Sequence, residues 1–420
     1  MKATDSLAKQ GIFILAASTV ANASNFFFQF IIGRMLGPAE YSVLTALLSL
    51  FMILSVPTQT IQTVVAKYAA TFKAKKNNAK ISYLLFRSLK KLSLVGILSF
   101  VLFTFASGLI ASFLKIPSVA PVIALGSIVA IALVTPMGRG VLQGLQEFNY
   151  LGVSYIIDAL LRLAIGILLV WLGFKATGAL AASFFATFIA LGFVFIPLKF
   201  LFGQKGKPVN FDSSEIYNYF WPVLITLLCF TTLTNVDIIL VKHFFSPEQA
   251  GLYSAASLMG KIVLFFPAAF SMVMFSKTSE LHAQNADSKH ILKKSLLFVG
   301  SMCAAITISY FAFPSFLISI VYGPQFIPGA HLLGLFGIAM CFFSLLNILL
   351  LYYLSVHQLR FIPVLVGATI LQVTILWFVP LKPVQVIYVL IANALLLLIL
   401  VPAIQSFSEQ KRLKEAVEGV

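Results

Sequence analysis

A chain of 420 residues that is 60% hydrophobic and only 10% charged does not fit a soluble fold, because apolar stretches of 20 or more residues recur along its whole length. A formal net charge of +16 would point to nucleic acid in a soluble protein. Here the basic residues gather in alternate connections between apolar segments, the distribution that sets membrane orientation, so no nucleic-acid partner is expected.

A hydrocarbon core about 30 Å thick takes about 20 helical residues to cross. On that criterion the sequence predicts an all-α polytopic membrane protein with about twelve spans, at residues 11–33, 42–66, 92–114, 120–141, 152–173, 178–200, 220–241, 251–274, 295–321, 331–354, 361–381 and 386–405. The first is expected to stay uncleaved, since it is too long for a signal-peptide core, carries Asn22 and Asn25, and leads directly into a second span. Arg34 lies at its outer end. Pro57 sits deep in the second span, where a missing backbone hydrogen bond tends to bend the helix.

A basic run from Lys67 to Lys91 follows, and with Lys2, Lys9, Lys199, Lys205, Lys207, Lys277, Lys289 and the C-terminal Lys411, Arg412 and Lys414 it marks the cytoplasmic face. Both termini are then cytoplasmic in the plasma membrane, and the basic run is explained by topology and by attraction to anionic membrane lipids. Arg139 falls at the inner end of the fourth span. Asp158 and Arg162 lie on the fifth with the acid four residues N-terminal to the base, the favoured order for an ion pair on one helix face. Two readings stay open, a self-neutralised structural pair or an Arg162 that lines a substrate cavity with Asp158 tuning it.

The stretch GQKGKPVNFD from Gly203 has linker composition. Beyond it, Asp237 follows Asn235 and Val236 in the seventh span, and Lys261 lies near mid-depth of the eighth. A carboxylate at that depth can bind a proton or sodium, or it can form a salt bridge to Lys261 or Lys242 that locks adjacent helices. Asp237 with Asn235 is therefore the candidate ion-coupling pair. Arg34 and Arg139 admit two readings as well, as interfacial anchors or, with Arg162 and Lys261, as a path of positive charge suited to a phosphate-bearing cargo.

Two halves emerge from the landmarks. Pro57 and Lys67 recur as Pro267 and Lys277, 210 positions on, while Pro117 and Pro121 recur as Pro324 and Pro328, 207 on; Arg34 with Lys242 and Pro38 with Pro247 fit the same pattern. Parallel duplication of a membrane bundle places a substrate site between the halves. The expected organisation is a six-helix lobe at 1–203, a cytoplasmic linker at 204–216, a second six-helix lobe at 217–406 and a cytoplasmic tail at 407–420. Recurrence of Pro57 as Pro267 makes them candidate hinges, against the plain alternative that membrane helices often kink without function.

The outer face offers Glu40, Glu248 and His243, with His331 at the membrane edge, and no paired carboxylates for acid/base chemistry on a lipid-linked sugar. No GxxxxGK[ST] loop is present. Cys229, Cys303 and Cys341 fall inside spans without a CxxC or His at ligand spacing, which points to packing. No catalytic residue, metal or resident cofactor is expected. A carrier, passive or coupled to protons or sodium, remains.

The run Gly33-Arg34-Met35-Leu36-Gly37-Pro38-Ala39-Glu40-Tyr41 resembles the GRxLGPxEYG signature of the polysaccharide biosynthesis family, the Wzx-like oligosaccharide flippases. Ser42 stands where that family usually has Gly. Residues 138–148, GRGVLQGLQEF, and the segment from Asn235-Val236-Asp237 to Ala250-Gly251-Leu252-Tyr253-Ser254-Ala255-Ala256 resemble the same family. The resemblance implies a two-lobed, V-shaped, MATE-like carrier of the multidrug/oligosaccharidyl-lipid/polysaccharide exporter superfamily, with pseudo-symmetric six-helix lobes. It implies that a polyprenyl-diphosphate-linked oligosaccharide, such as an O-antigen or other surface-polysaccharide repeat unit, passes by alternating access and is handed on to glycan polymerase machinery. Asp237 resembles the acid beside which some relatives place a cation, although the eleventh span offers only Thr369, Gln372 and Thr374 to complete such a site. The alternatives are a drug/cation antiporter, which would want more cavity acids, a lipid II flippase, whose branch usually carries two more helices, and a membrane glycan polymerase.

Overall fold

The computed structural model describes residues 2–202, 214–265, 267, 274, 278, 289–356 and 358–418, with side chains described except at 2–12, 214–220, 289 and 406–418. Lys277 and most of the expected linker lie outside the described residues. The chain divides into two compact units, Met1–Asn218 and Tyr219–Val420.

The first unit opens with α1, Lys2–Ala74, a helical run of 73 residues that at 1.5 Å per residue is about 110 Å long, enough for two crossings. It divides at Gly37, whose φ of 72° and ψ of 170° are non-helical. Only glycine adopts that backbone without steric cost, and Pro38 then starts the next helical segment, where its missing N–H is harmless. The signature run is thus the corner between two spans and not an extended loop. Tyr41, Leu44 and Leu47 just after the corner are fully buried, and Glu40 pairs with Lys175 at 3.3 Å on the exposed side.

Helices α2 (Asn78–Phe113), α3 (Ala120–Gly144), α4 (Phe148–Leu169) and α5 (Lys175–Val194) complete the unit, with a π-helical turn Val170–Phe174 between the last two. Asn77 caps α2 by accepting from the Lys80 backbone N–H at 3.0 Å. α3 packs against α1, α2 and α5, and α4 packs against α1 and α5. Close approach of α3 to α1 depends on glycine, because a Cβ at Gly140 would lie 2.8 Å from the Gln62 carbonyl oxygen. Lipid, not water, faces the rest: Leu94, Leu98, Leu102, Phe105 and Leu109 form an exposed apolar stripe on α2, which water would not tolerate at that extent.

The second unit contains α6 (Ser214–Leu233), α7 (Val236–Phe244), α8 (Pro247–Phe265), α9 (Lys289–Ala312), α10 (Pro314–Tyr322), a 3-10 segment Pro324–Leu332, α11 (Leu333–Ser355), α12 (Ile362–Phe378) and α13 (Pro383–Glu418). α11 packs against α8, α9 and α13, while α12 packs against α13 and α7. Among the described residues eight helical runs are long and apolar enough to cross a membrane, of which Phe13–Ala74 and Phe148–Val194 are long enough for two crossings, and Ile362–Phe378 is a shorter apolar helix.

Three expected spans differ in detail. The seventh is interrupted at Thr234 and Asn235, a site with no Gly or Pro to announce it. The ninth, expected to run to residue 321, stops at Ala312, because Pro314 drives Phe313 out of helical geometry to φ −133° and ψ 47°. The fifth ends in the π turn, whose Gly173 has a φ of 91°. Pro57 lies inside α1. Pro267 lies two residues beyond the last described turn of α8 and is buried.

Candidate functional site

The first unit gathers its membrane-depth charges around one carboxylate. Asp158, 8% exposed, receives Arg162 Nη2 at 3.1 Å on Oδ1 and Arg139 Nη2 at 3.0 Å on Oδ2. Thr187 on α5 donates its hydroxyl to the same Oδ1 at 3.1 Å. Three helices thus converge on one side chain, and the cluster of two guanidiniums and one carboxylate carries a formal surplus of one positive charge. A buried carboxylate without such partners would be strongly destabilising.

Each arginine has further ties. Arg162 Nη1 donates to Asn25 Oδ1 on α1 at 3.3 Å. The Arg139 guanidinium lies over the Tyr155 ring, 4.7 Å from its centroid, and the Tyr155 hydroxyl accepts from Gln62 Nε2 at 3.1 Å, which also reaches Gln143 Oε1 at 3.1 Å. The Nε atoms of both arginines are buried and have no partner among the described residues. Accessibility separates the two side chains: Arg162 is 28% exposed and Arg139 11%.

These positions revise the expected arrangement. The Asp158–Arg162 pair is present, but it is not self-contained, since Arg139 is the acid's second guanidinium. Arg139 lies in α3, five residues before its last residue, Gly144, and is paired with Asp158. Arg34 is exposed, three residues before the Gly37 corner.

In the second unit the polar groups collect around the interrupted seventh span. Asn235 bridges the break: its Nδ2 donates to the Thr231 carbonyl at 2.8 Å, and its Oδ1 accepts from Lys261 Nζ at 2.7 Å. Gln372 on α12 donates to the Leu233 carbonyl at 2.8 Å, which satisfies an oxygen left without an intrahelical partner. Asn393 on α13 in turn donates to Gln372 Oε1 at 2.8 Å.

Asp237 stands in the first turn of α7, fully buried, and accepts from the Tyr253 hydroxyl at 2.9 Å on Oδ2. Of the two readings left open for Asp237, the salt bridge to Lys261 is not made, since the Lys261 ammonium donates to the Asn235 amide oxygen at 2.7 Å. Asp237 Oδ1 has no partner among the described residues. The acid also borders a cavity of about 560 Å³ walled by Leu240, Phe244, Trp377 and Val379, with His243 stacked on Trp377 at 5.5 Å. Among the described residues no group of three or more His, Cys, Asp or Glu side chains could hold a metal. Cys229 and Cys303 are buried and Cys341 is partly so, all three as free thiols.

Thr187, Tyr253, Asn393 and the Gln62–Gln143–Tyr155 network had no role assigned from sequence, because each is brought to its partner by packing between helices. Gln372 carried a signal. It lies 210 residues after Arg162, the offset of the proline landmarks, and its acceptor Leu233 lies 208 after Asn25, the acceptor of Arg162. The same tie between fifth and first spans therefore recurs inside the second unit, with an amide in place of the guanidinium.

A family model described as polysaccharide biosynthesis protein matches residues 92–331. An uncharacterized membrane protein of Methanocaldococcus jannaschii is 25% identical over 295 residues, covering 66% of this chain and 69% of its own. The fold is similar to that of an inward-facing multidrug resistance MATE family transporter of the MOP superfamily, with a TM-score of 0.73 at 12% identity over 95% of this chain and 99% of that one. It is equally similar to the lipid II flippase MurJ in an inward closed conformation, with a TM-score of 0.73 at 12% identity over 95% and 87% of the respective chains.

Proposed function

The chain belongs to the polysaccharide biosynthesis protein family, and from that premise we propose that this multi-pass membrane protein carries a polyprenyl-diphosphate-linked oligosaccharide across the plasma membrane by alternating access. The observation that carries the reading is the Arg139–Asp158–Arg162 cluster, in which two guanidiniums share one carboxylate at membrane depth. A charge at the centre of a bilayer costs at least about 2.5 to 3.5 kcal/mol on insertion scales. A surplus guanidinium held there at such cost supports an anionic cargo, and arginine recognises phosphate through two parallel donors.

In this reading Arg162, the more accessible of the two, contacts the diphosphate. Arg139 holds the acid in place, and Arg34 and Lys261 add positive charge along the route. Pro57 and Pro267 supply bends about which the lobes rock, both termini are cytoplasmic, and the delivered repeat unit passes to glycan polymerase machinery. Coupling to protons or sodium enters through Asp237 with Asn235; the support is that Asp237 borders a cavity and that its buried Oδ1 lacks a donor among the described residues.

Reconstituted protein in proteoliposomes should move a defined lipid-linked oligosaccharide from one leaflet to the other, and Arg162→Ala should lose that activity while remaining folded. Movement of a cationic drug with no movement of the glycan would replace this reading with the antiporter one.

A further inference from the structure

We propose that Asp158 is a built-in competitor for the phosphate of the cargo: it occupies Arg162 when the site is empty, yields that guanidinium on binding, and reclaims it on release. The inference rests on the reading of Arg162 as a phosphate-binding residue and concerns how tightly that site holds its ligand.

An oxyanion would use one particular edge of Arg162. Nε and Nη2 form the side-on fork of a guanidinium, while Nη1 points away and here is tied to Asn25. Of the two fork donors, Nε has no partner and Nη2 is held by Asp158 alone. A phosphate taking this edge would satisfy one buried donor that has no partner among the described residues and would displace a carboxylate from the other. Binding side-on therefore requires displacement of Asp158 from a single hydrogen bond.

Asp158 is built to tolerate that displacement. Its Oδ2 stays with Arg139 at 3.0 Å and its Oδ1 stays with the Thr187 hydroxyl at 3.1 Å, so neither oxygen becomes an unpaired buried acceptor when Arg162 leaves. Had Arg162 been the acid's one partner, yielding it would strand a buried charge. Arg139, at 11% exposure against 28% for Arg162, is the anchor and Arg162 the exchangeable partner. A carrier needs a ligand held firmly enough to enter and loosely enough to leave, and a resident carboxylate on the binding fork weakens the empty site by the work of its removal.

The experiment compares binding of a short-chain prenyl diphosphate, with the matching prenyl alcohol as control, to full-length protein in detergent. Each variant is also scored for glycan turnover in proteoliposomes. Asp158→Asn should bind the diphosphate about tenfold tighter, since one charge-assisted hydrogen bond no longer has to be broken, and turnover should fall as release slows. Thr187→Val should change affinity in the opposite direction, because Asp158 Oδ1 is then left to Arg162 and yields it less readily. Affinity that falls in both variants, or moves in neither, overturns the proposal. If Arg162→Ala binds the diphosphate as well as the parent, the phosphate-binding reading of Arg162 fails and the competitor role fails with it. If Arg162→Ala binds weakly but Asp158→Asn does not bind tighter, the competitor role alone is lost. Should Asp158→Asn not fold, Thr187→Val decides: weaker binding supports the proposal, and unchanged or tighter binding overturns it.

Discussion

Arg139 Nη2 meets Asp158 Oδ2 at 3.0 Å, a contact between α3 and α4 across 19 positions of sequence. It turns a pair of charges on one helix into a three-helix junction with Thr187, and it leaves the whole cluster with a positive surplus. Removing the arginine would leave Asp158 with Arg162 and Thr187 on Oδ1 and its Oδ2 without a donor. Arg139→Ala should therefore destabilise the first unit by about 1 to 3 kcal/mol, the cost of a buried acceptor left unpaired. Thermal unfolding in detergent reads the effect directly, and a transition unchanged from the parent would show that Arg139 is not the anchor.

Arg162→Lys separates charge from geometry. Lysine keeps the positive charge but loses the planar fork, so transport of a lipid-linked glycan should be restored only in part relative to Arg162→Ala. Initial rates in proteoliposomes at saturating cargo measure this. Full activity in the lysine variant would show that the fork is dispensable.

Asp237→Asn tests the coupling role without disturbing packing, because the amide oxygen can still accept from Tyr253. The folded yield should match that of the parent, and transport should lose its response to an imposed pH or sodium gradient. A response equal to that of the parent in well-folded protein would remove Asp237 from the coupling mechanism.

Gln372→Leu addresses the interrupted seventh span. The substitution strips the donor from the Leu233 carbonyl, leaving that buried oxygen unpaired at about 1 to 3 kcal/mol, while Asn393 Nδ2 loses Gln372 Oε1 but keeps the Ala368 carbonyl at 3.2 Å. A lower unfolding temperature with intact insertion is the expected result, and a stability equal to that of the parent would mean that the break closes without this tie.

Gly140→Ala should also destabilise, since the new methyl group would meet the Gln62 carbonyl oxygen at 2.8 Å with Val65 close by. Overpacking of this kind costs about 1 to 3 kcal/mol. Detergent unfolding curves of the alanine variant against the parent check it.

Much of the architecture was legible in the residues themselves. Apolar length places the spans, because a helix must satisfy its own backbone hydrogen bonds in lipid. The Gly37-Pro38 corner was visible as a motif, though its continuity as two abutting helical segments was not. Pro314 ended the ninth span early by a local rule that apolar length alone had overridden. The interruption at Asn235 lacked such a mark: what satisfies it is an amide 139 residues away on α12, and Gln372, visible in the sequence as a polar residue of the eleventh span, gave no sign of that role except its repeat offset from Arg162.

The charged residues divide along the same line. Sequence by itself placed Asp158, Arg162, Asp237 and Lys261 within apolar runs, and the i, i+4 spacing brought Asp158 to Arg162 on one helix. Tertiary structure decided which partners they keep. Arg139 joined Asp158 and Lys261 turned to Asn235 because helices far apart in sequence pack face to face, and in a low-dielectric interior each charge settles on whichever complementary group that packing brings within hydrogen-bond reach.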